Sequence, residues 1–375
     1  MPILSAYDSS IAPSPRWTLD RVDQRDLPLQ GSYQFNKRGL GVHVWIVDTG
    51  LDITDPDIAA NVDQSTYMTI NGLNPFAPCD PHGTDVAKAA VGRVGVARGA
   101  TLHAARVDTD CSGSLSNGAI IFALEYIADN TLRPAVVNLS LGRRCSLFTC
   151  LFTVESAAEY AQSKGVTVVV SAGNDGGDAC DQSPARLQSL ITVGASTLSD
   201  ARADYPGLWA SNWGACVDLF APVFPSGGTS AAAPVVAGAA ALFLEMFPTA
   251  SPATVQANLV ANATVGRLGP NLAGSPNRLL YTMQRTLTAA ISGASHIGPF
   301  TSCAWYGSHD GGYPPYVYKW YRDQVLVGQS TSYSIEAGES AGFALELRVE
   351  DGRGNIASSA RAVAFDSNNG GFVCQ

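Results

Sequence analysis

Charge is scarce in this sequence. Charged residues make up 15%, against roughly 25% in an average globular chain. Basic residues are also in deficit, 23 Lys and Arg against 32 Asp and Glu, for a net charge of −9. That balance excludes a nucleic-acid groove and a polybasic membrane-surface patch. There are five histidines, and none of them (His43, His82, His103, His296, His309) clusters with a cysteine. The eight cysteines lack the tight pairs of zinc modules, so disulfides in an oxidising compartment are the expected use. No apolar run approaches the ~20 residues needed to span a bilayer. The longest, Ala231–Leu244, contains Pro234 and reads as a buried helix, so no transmembrane segment is expected. The opening MPILSAYDSS has no basic stretch and no apolar one; no signal peptide is expected there, and the chain reads as a processed form.

What is present is apolar material, 46% of 375 residues, enough to rule out wholesale disorder. At ~150 residues per domain the length suggests two or three domains. Apolar runs at 42–48, 101–107, 135–141, 166–171, 190–195 and 217–221 read as buried strands. Helical patterns lie near 82–92, 116–129, 152–164 and 230–247. Strands apolar throughout and alternating with helices predict a doubly wound, mainly parallel α/β sheet covered on both faces over residues 1–284. Functional groups are then expected beyond the carboxyl ends of the strands. After about residue 285 the pattern changes to short alternating segments broken by Gly-, Ser- and Asp-rich turns, which predicts a small all-β sandwich over 285–375. Trp320 is expected in its core, with Cys303 and Cys374 strapping the last strand to an early one.

Four residues stand at ends of predicted elements. Asp48 closes VHVWIVD before Thr-Gly; alone it is a turn aspartate. An aspartic protease would need a second Asp-Thr-Gly to share a proton, and the sequence has none. His82 opens a helix in DPHGTDVAKAAVG, where a lone histidine is commonly a surface residue. Ser230 stands in GGTSAAAPVVAG, where helix-terminal N–H groups could stabilise an oxyanion or the serine could simply cap the helix. Pro234 is expected in that helix's first turn. Asn174 ends VVVSAGNDGG, its amide serving either an oxyanion or a turn.

Together the four are less ambiguous. Asp, then His, then Gly-Thr-Ser on an α/β scaffold is the chain order of subtilisin. The segments VWIVDTG, HGT, VVNLSLG, SAGN and GTSAAAP resemble the subtilisin-like serine proteases over about residues 17–282. WTLDRVDQRDLPL and CSGS look most like the proteinase K and aqualysin branch. The resemblance implies a secreted serine endopeptidase with Ser230 as nucleophile, His82 as base, Asp48 orienting the imidazole, and Asn174 in the oxyanion hole. It implies that a peptide lies between Ser112-Gly113-Ser114 and Ser140-Leu141-Gly142 as an added strand. Ala172, Gly173, Ser183, Pro184 and Ala185 would line the primary pocket; their small size predicts an open slot and a broad preference for large apolar residues before the scissile bond.

The same resemblance implies disulfides Cys79–Cys111 and Cys180–Cys216, with Cys145 and Cys150 close enough to pair locally. No cofactor is expected for chemistry. A structural calcium is implied at Asp218 and the carbonyls of Gln188 and Leu190, an oxygen set that suits it. Partners would be protein or peptide substrates, and the chain is expected to be a monomer; a folding propeptide is expected of the family and is not visible. The C-terminal stretch weakly resembles an immunoglobulin-like or polycystic-kidney-disease-type module, with YPPYVYKWY as a binding face or as core and edge aromatics. Three departures from the family pattern stand out: HGTDVAK with Asp85 and Lys88, GTSAAAPVVAG with Ala231 and Val235, and a short PVFPSGG connection. Asp85 is expected to raise the His82 pKa. The short connection keeps open a peptide-binding pseudoenzyme, and the C-terminal module a surface-binding protein.

Overall fold

The computed structural model describes residues 17–70, 72–108, 115–145, 150, 152–283, 287–299, 302–312, 315–352, 356–367 and 374. It divides into two compact units, Met1–Gln284 and Arg285–Gln375. In the first unit the strands are β1 (His43–Asp48), β2 (Met68–Thr69), β3 (Thr101–Arg106), β4 (Ala135–Leu139), β5 (Arg143–Arg144) and β6 (Val166–Ser171). They continue with β7 (Gln182–Ser183), β8 (Ile191–Ser196), β9 (Asp204–Tyr205), β10 (Trp209–Ala210), β11 (Leu219–Pro222), β12 (Thr264–Val265) and β13 (Arg278–Leu279). Nine of them form one sheet in the order β12-β13-β11-β8-β6-β4-β1-β3-β2. All its pairs are parallel except β12 with β13. The helices are α1 (Trp17–Val22), α2 (His82–Ala90), α3 (Asn117–Asn130), α4 (Phe152–Ser163), α5 (Gly228–Met246) and α6 (Pro252–Asn262).

Both sheet faces are covered, as continuous apolar strands require. Val44 and Ile46 of β1 face one core with Val86, Val236 and Phe243 of α2 and α5. Trp45 and Val47 face the other with Leu124 and Val154 of α3 and α4. By length and composition α5 could cross a membrane, but 78% of its apolar window is buried inside this core. Helices α1 and α6 and the edge pair β12–β13 have no counterpart in the sequence reading. Helix α1 and the pair β12–β13 are short, whereas α6 has 11 residues, opens on a Ser251 cap with Pro252 at its start, and packs on α5 and β6.

Pro234 departs from expectation. It lies inside α5, not in its first turn. A proline there cannot donate to the carbonyl four residues back, which is that of Ser230. Ser140 Oγ donates to that carbonyl instead, at 2.7 Å.

The second unit is a two-sheet sandwich. Thr288–Gly293, Cys303–Asp310 and Ser332–Ile335 make one sheet; His296–Ile297, Ile356–Phe365, Phe343–Glu350, Val317–Arg322 and Val325–Gly328 make the other. Trp305 and Trp320, both fully buried, anchor its core with Leu345 and Leu347. Tyr316 and Tyr318 pack around His309, while Tyr313 and Pro314 lie outside the described residues. Disulfides join Cys145–Cys150, Cys180–Cys216 and Cys303–Cys374. Cys79 is disulfide-bonded too; its expected partner Cys111 lies outside the described residues.

Candidate active site

Asp48 ends β1 and is fully buried. Its Oδ1 accepts from the Thr49 N–H at 2.7 Å and stands 2.8 Å from His82 Nδ1. His82 opens α2, its own N–H donating to Asp80 Oδ1 at 2.8 Å. Thr49 Oγ1 accepts from the Gly83 N–H and donates to the Asp80 carbonyl, both at 3.0 Å. The helix start thus sits directly on the strand end, so closely that a Cβ on Gly83 would meet the Gly50 carbonyl at 2.3 Å. That contact is why the residue after this histidine has no side chain. The hydrogen bond that His82 donates to Asp48 is the first cause raising the His82 pKa above 6.5; burial opposes it, and Asp80 and Asp85 add smaller upward pulls. Asp85 is exposed and pairs with Lys88 Nζ at 2.9 Å. The effect expected of Asp85 therefore belongs mainly to Asp48.

Ser230 is the third residue of α5. Two ties hold it to the end of β4: Ser140 Oγ on its carbonyl, and its own Oγ donating to the Ser140 carbonyl at 3.4 Å. Asn138 Nδ2 in turn donates to Ser140 Oγ at 2.9 Å. His82 and Ser230 line the same cleft, of about 280 Å³, together with Phe224, Ala231 and Val235. A second hollow on the other side of His82 is lined by Asp48, Ser140, Leu141, Gly142 and Arg143. The short 222–228 connection is anchored, not loose. Trp209 Nε1 donates to the Pro225 carbonyl at 2.7 Å, and Trp17 packs edge-on against Phe224.

Asn174 follows β6 and is exposed. Its Oδ1 accepts from both the N–H and the hydroxyl of Thr229, at 2.8 and 2.9 Å, which turns the NH2 end away from Thr229. Gly228, at φ +60, passes so near that a Cβ would come within 2.9 Å of Asn174 Nδ2. Thr229, Asn138 and Thr49 were missed as site residues because each acts by holding another side chain, and only the motif context hints at them.

The expected substrate segments fare unequally. Ser112, Gly113 and Ser114 lie outside the described residues. Ser140 and Leu141 are nearly buried and Gly142 is exposed. Arg143 and Arg144 pair antiparallel with Ser183 and Gln182, bringing the 140–142 segment beside the 183–185 segment. Ala172, Gly173, Ser183, Pro184 and Ala185 are all buried. Glu155, unnoticed in the sequence, holds this wall from α4: it accepts from Ser183 Oγ at 2.6 Å and from Arg186 Nε and Nη2 at 2.7 and 2.8 Å. The Gln182 side chain comes near both Gly142 and Gly173, where an added Cβ would meet its Nε2 at 3.5 and 3.1 Å.

The oxygens expected to hold calcium do converge, but on a protein donor. Gln256 Nε2 donates to the carbonyls of Gln188 and Leu190 at 3.1 and 2.9 Å and reaches both Asp218 carboxylate oxygens at 3.3 Å. An amide N–H2 surrounded by acceptors leaves no place for a cation, so this set does not fit calcium.

An aspartate–histidine pair and a helix-borne serine, gathered at the carboxyl edge of a parallel sheet, define a subtilisin-like protein. The signature of the Subtilase family, Peptidase_S8, matches residues 39–282. The chain is 42% identical over 281 residues to the "Extracellular serine proteinase" of Thermus sp. (strain Rt41A), covering 71% of this chain and 66% of that one. It is 38% identical over 296 residues to the "Alkaline serine exoprotease A" of Vibrio alginolyticus, covering 76% and 52%. A solved "cold adapted subtilisin-like serine proteinase" superposes with a TM-score of 0.64 at 36% identity, covering 71% of this chain and 97% of that one. The chain belongs to the subtilase family of serine endopeptidases. It spans under two thirds of the length of the two curated relatives named above.

Proposed function

We propose that the protein is a secreted serine endopeptidase that cleaves peptide bonds through an acyl-enzyme. The observation that carries this is the His82 ring, bound at Nδ1 by buried Asp48 and facing the cleft it shares with Ser230. With Nδ1–H donated to Asp48, Nε2 is left as the base. The Ser230 hydroxyl turns from the Ser140 carbonyl to His82, gives up its proton and attacks the scissile carbonyl. The oxyanion is received by the Asn174 amide and the Ser230 N–H. The imidazolium, steadied by Asp48, returns the proton to the leaving amine, and water repeats the cycle on the ester.

Secretion accords with the disulfides, which persist in oxidising compartments, and with a relative named extracellular. Substrates are read as proteins or peptides bound through their main chain along 140–142, and the chain as a monomer. The sandwich unit is read as an appended immunoglobulin-like module. The calcium implied by the family is not part of the proposal, since Gln256 takes its place. The anchored 222–228 connection counts against a misplaced nucleophile and so against a pseudoenzyme.

A fluorophosphonate tests the reading. It should label the wild type at Ser230 and spare Ser230→Ala, with peptide hydrolysis falling on the order of 10⁶-fold in that variant. Unlabelled but folded wild type would refute it.

A further inference from the structure

Two histidines that the candidate active site does not use meet near the amino ends of β1 and β3. His43 opens β1, at whose other end stands Asp48, and His103 lies on the neighbouring β3. His103 is 2% exposed and His43 half-buried. His103 Nδ1 lies 3.0 Å from the Thr66 carbonyl, and its Nε2 2.8 Å from His43 Nδ1. A carbonyl only accepts, so His103 carries its hydrogen on Nδ1, and its Nε2 accepts from His43 Nδ1–H. Trp45 stacks on the His103 ring with centroids 4.6 Å apart. Its Nε1 donates at 2.7 Å to the hydroxyl of Thr131, just past α3. The chain before β2 lies along β3 beside the pair. The Asp63 N–H donates to the Leu102 carbonyl and the Leu102 N–H to the Asn61 carbonyl, both at 2.8 Å.

We propose that His43 and His103 form an acid-sensitive latch, which ties the 61–66 segment to the sheet at neutral pH and releases it when both rings are protonated. A first proton enters at His43 Nε2 and leaves both hydrogen bonds in place. A second has only His103 Nε2 to occupy. Two N–H groups would then face each other across 2.8 Å, and two cations would share a largely buried site. Among the described residues the titratable groups facing the cluster are two. Asp63 of the segment itself has its Oδ2 3.7 Å from His103 Nδ1, and Tyr126 of α3 stands edge-on against Trp45. Burial is the first cause holding both imidazoles below the usual 6.5, with Asp63 pulling them up. A folded-state value below the unfolded one makes the latch fully effective above 6.5 and weaker as pH falls below it. The raised His82 has the opposite sign.

Hydrogen exchange read by mass spectrometry tests the latch in the full chain carrying Ser230→Ala, which removes self-digestion. Exchange over 61–66 and at Leu102, corrected for its intrinsic pH dependence, should quicken about tenfold or more from pH 7 to pH 5. Each proton taken up on opening is worth up to about tenfold per pH unit. Exchange over β6, remote from the pair, should change far less. In His43→Gln the new amide can donate to the neutral His103 ring or accept from the charged one, so the acid quickening should largely disappear. His103→Gln, which removes the buried titrating ring, should show the same flattening if the first variant does not fold. Equal protection of 61–66 at both pH values overturns the proposal, and so does a quickening that the variants retain. A quickening that β6 shares equally is global loosening and overturns it too.

Discussion

The two halves of the cleft are built on opposite plans. Around the nucleophile, a relay of hydrogen bonds runs from Asn138 to Ser140 to the Ser230 carbonyl and from Thr229 to Asn174. In the neighbouring wall the tie is ionic, Glu155 accepting from Ser183 Oγ and from Arg186. Neutral hydrogen bonds thus position the serine on one side, and a charge-assisted pair fixes the wall on the other.

The largest expected effect bears on the first half. Asp48→Asn should lower kcat on the order of 10⁴-fold by disturbing the imidazole tautomer. It should also move the acidic limb of the pH–rate profile down, since Asp48 is the first cause raising the His82 pKa. The sign for stability follows from the same shift. The pair stabilises the fold fully below the ordinary histidine value of 6.5, and that contribution is lost as pH rises through the raised one. A variant with an unmoved limb would show that another group governs the titration. Next, Asn174→Ala should cost roughly 10²–10³ in kcat with little change in KM. A loss confined to KM would place Asn174 with the substrate slot and blur the division.

Glu155→Gln tests whether the slot's wall is as rigid as the catalytic side. Breaking a buried ion pair costs roughly 3–5 kcal/mol. The Arg186 side chain is 30% exposed, so about 3 kcal/mol is expected, read from denaturant unfolding. Arg186 holds the Glu155 pKa below its usual 4.5. The stabilisation is therefore present above 4.5 and lost as pH falls through the depressed value, so the difference between wild type and variant should shrink in acid. An undiminished gap at low pH would mean that packing, not charge, holds the wall. The smallest effect concerns Gln256. A chelator should leave the wild-type Tm unchanged, whereas calcium should raise that of Gln256→Ala by roughly 2–4 °C. A wild type that melts earlier in chelator would show a cation, not an amide, among those oxygens.

The sequence by itself determined the parallel sheet, its two helical layers, the small β-rich unit and the residues proposed for the chemistry. These depend on local signals: strands apolar along their whole length, Asp48 and Asn174 at strand ends, His82 and Ser230 at helix starts. Tertiary structure decided what depends on contacts distant in the chain. The loss of an N–H at Pro234 is visible in the sequence, but that Ser140 answers it across 90 residues is not. Ser183 and Arg186 are visible in the sequence, but that Glu155 of α4 ties both of them is shown only by packing. Likewise Gln188, Leu190 and Asp218 read as ligands until α6 brings the Gln256 amide among them. A residue's type states which bonds it can make, and the fold decides which of them are already taken.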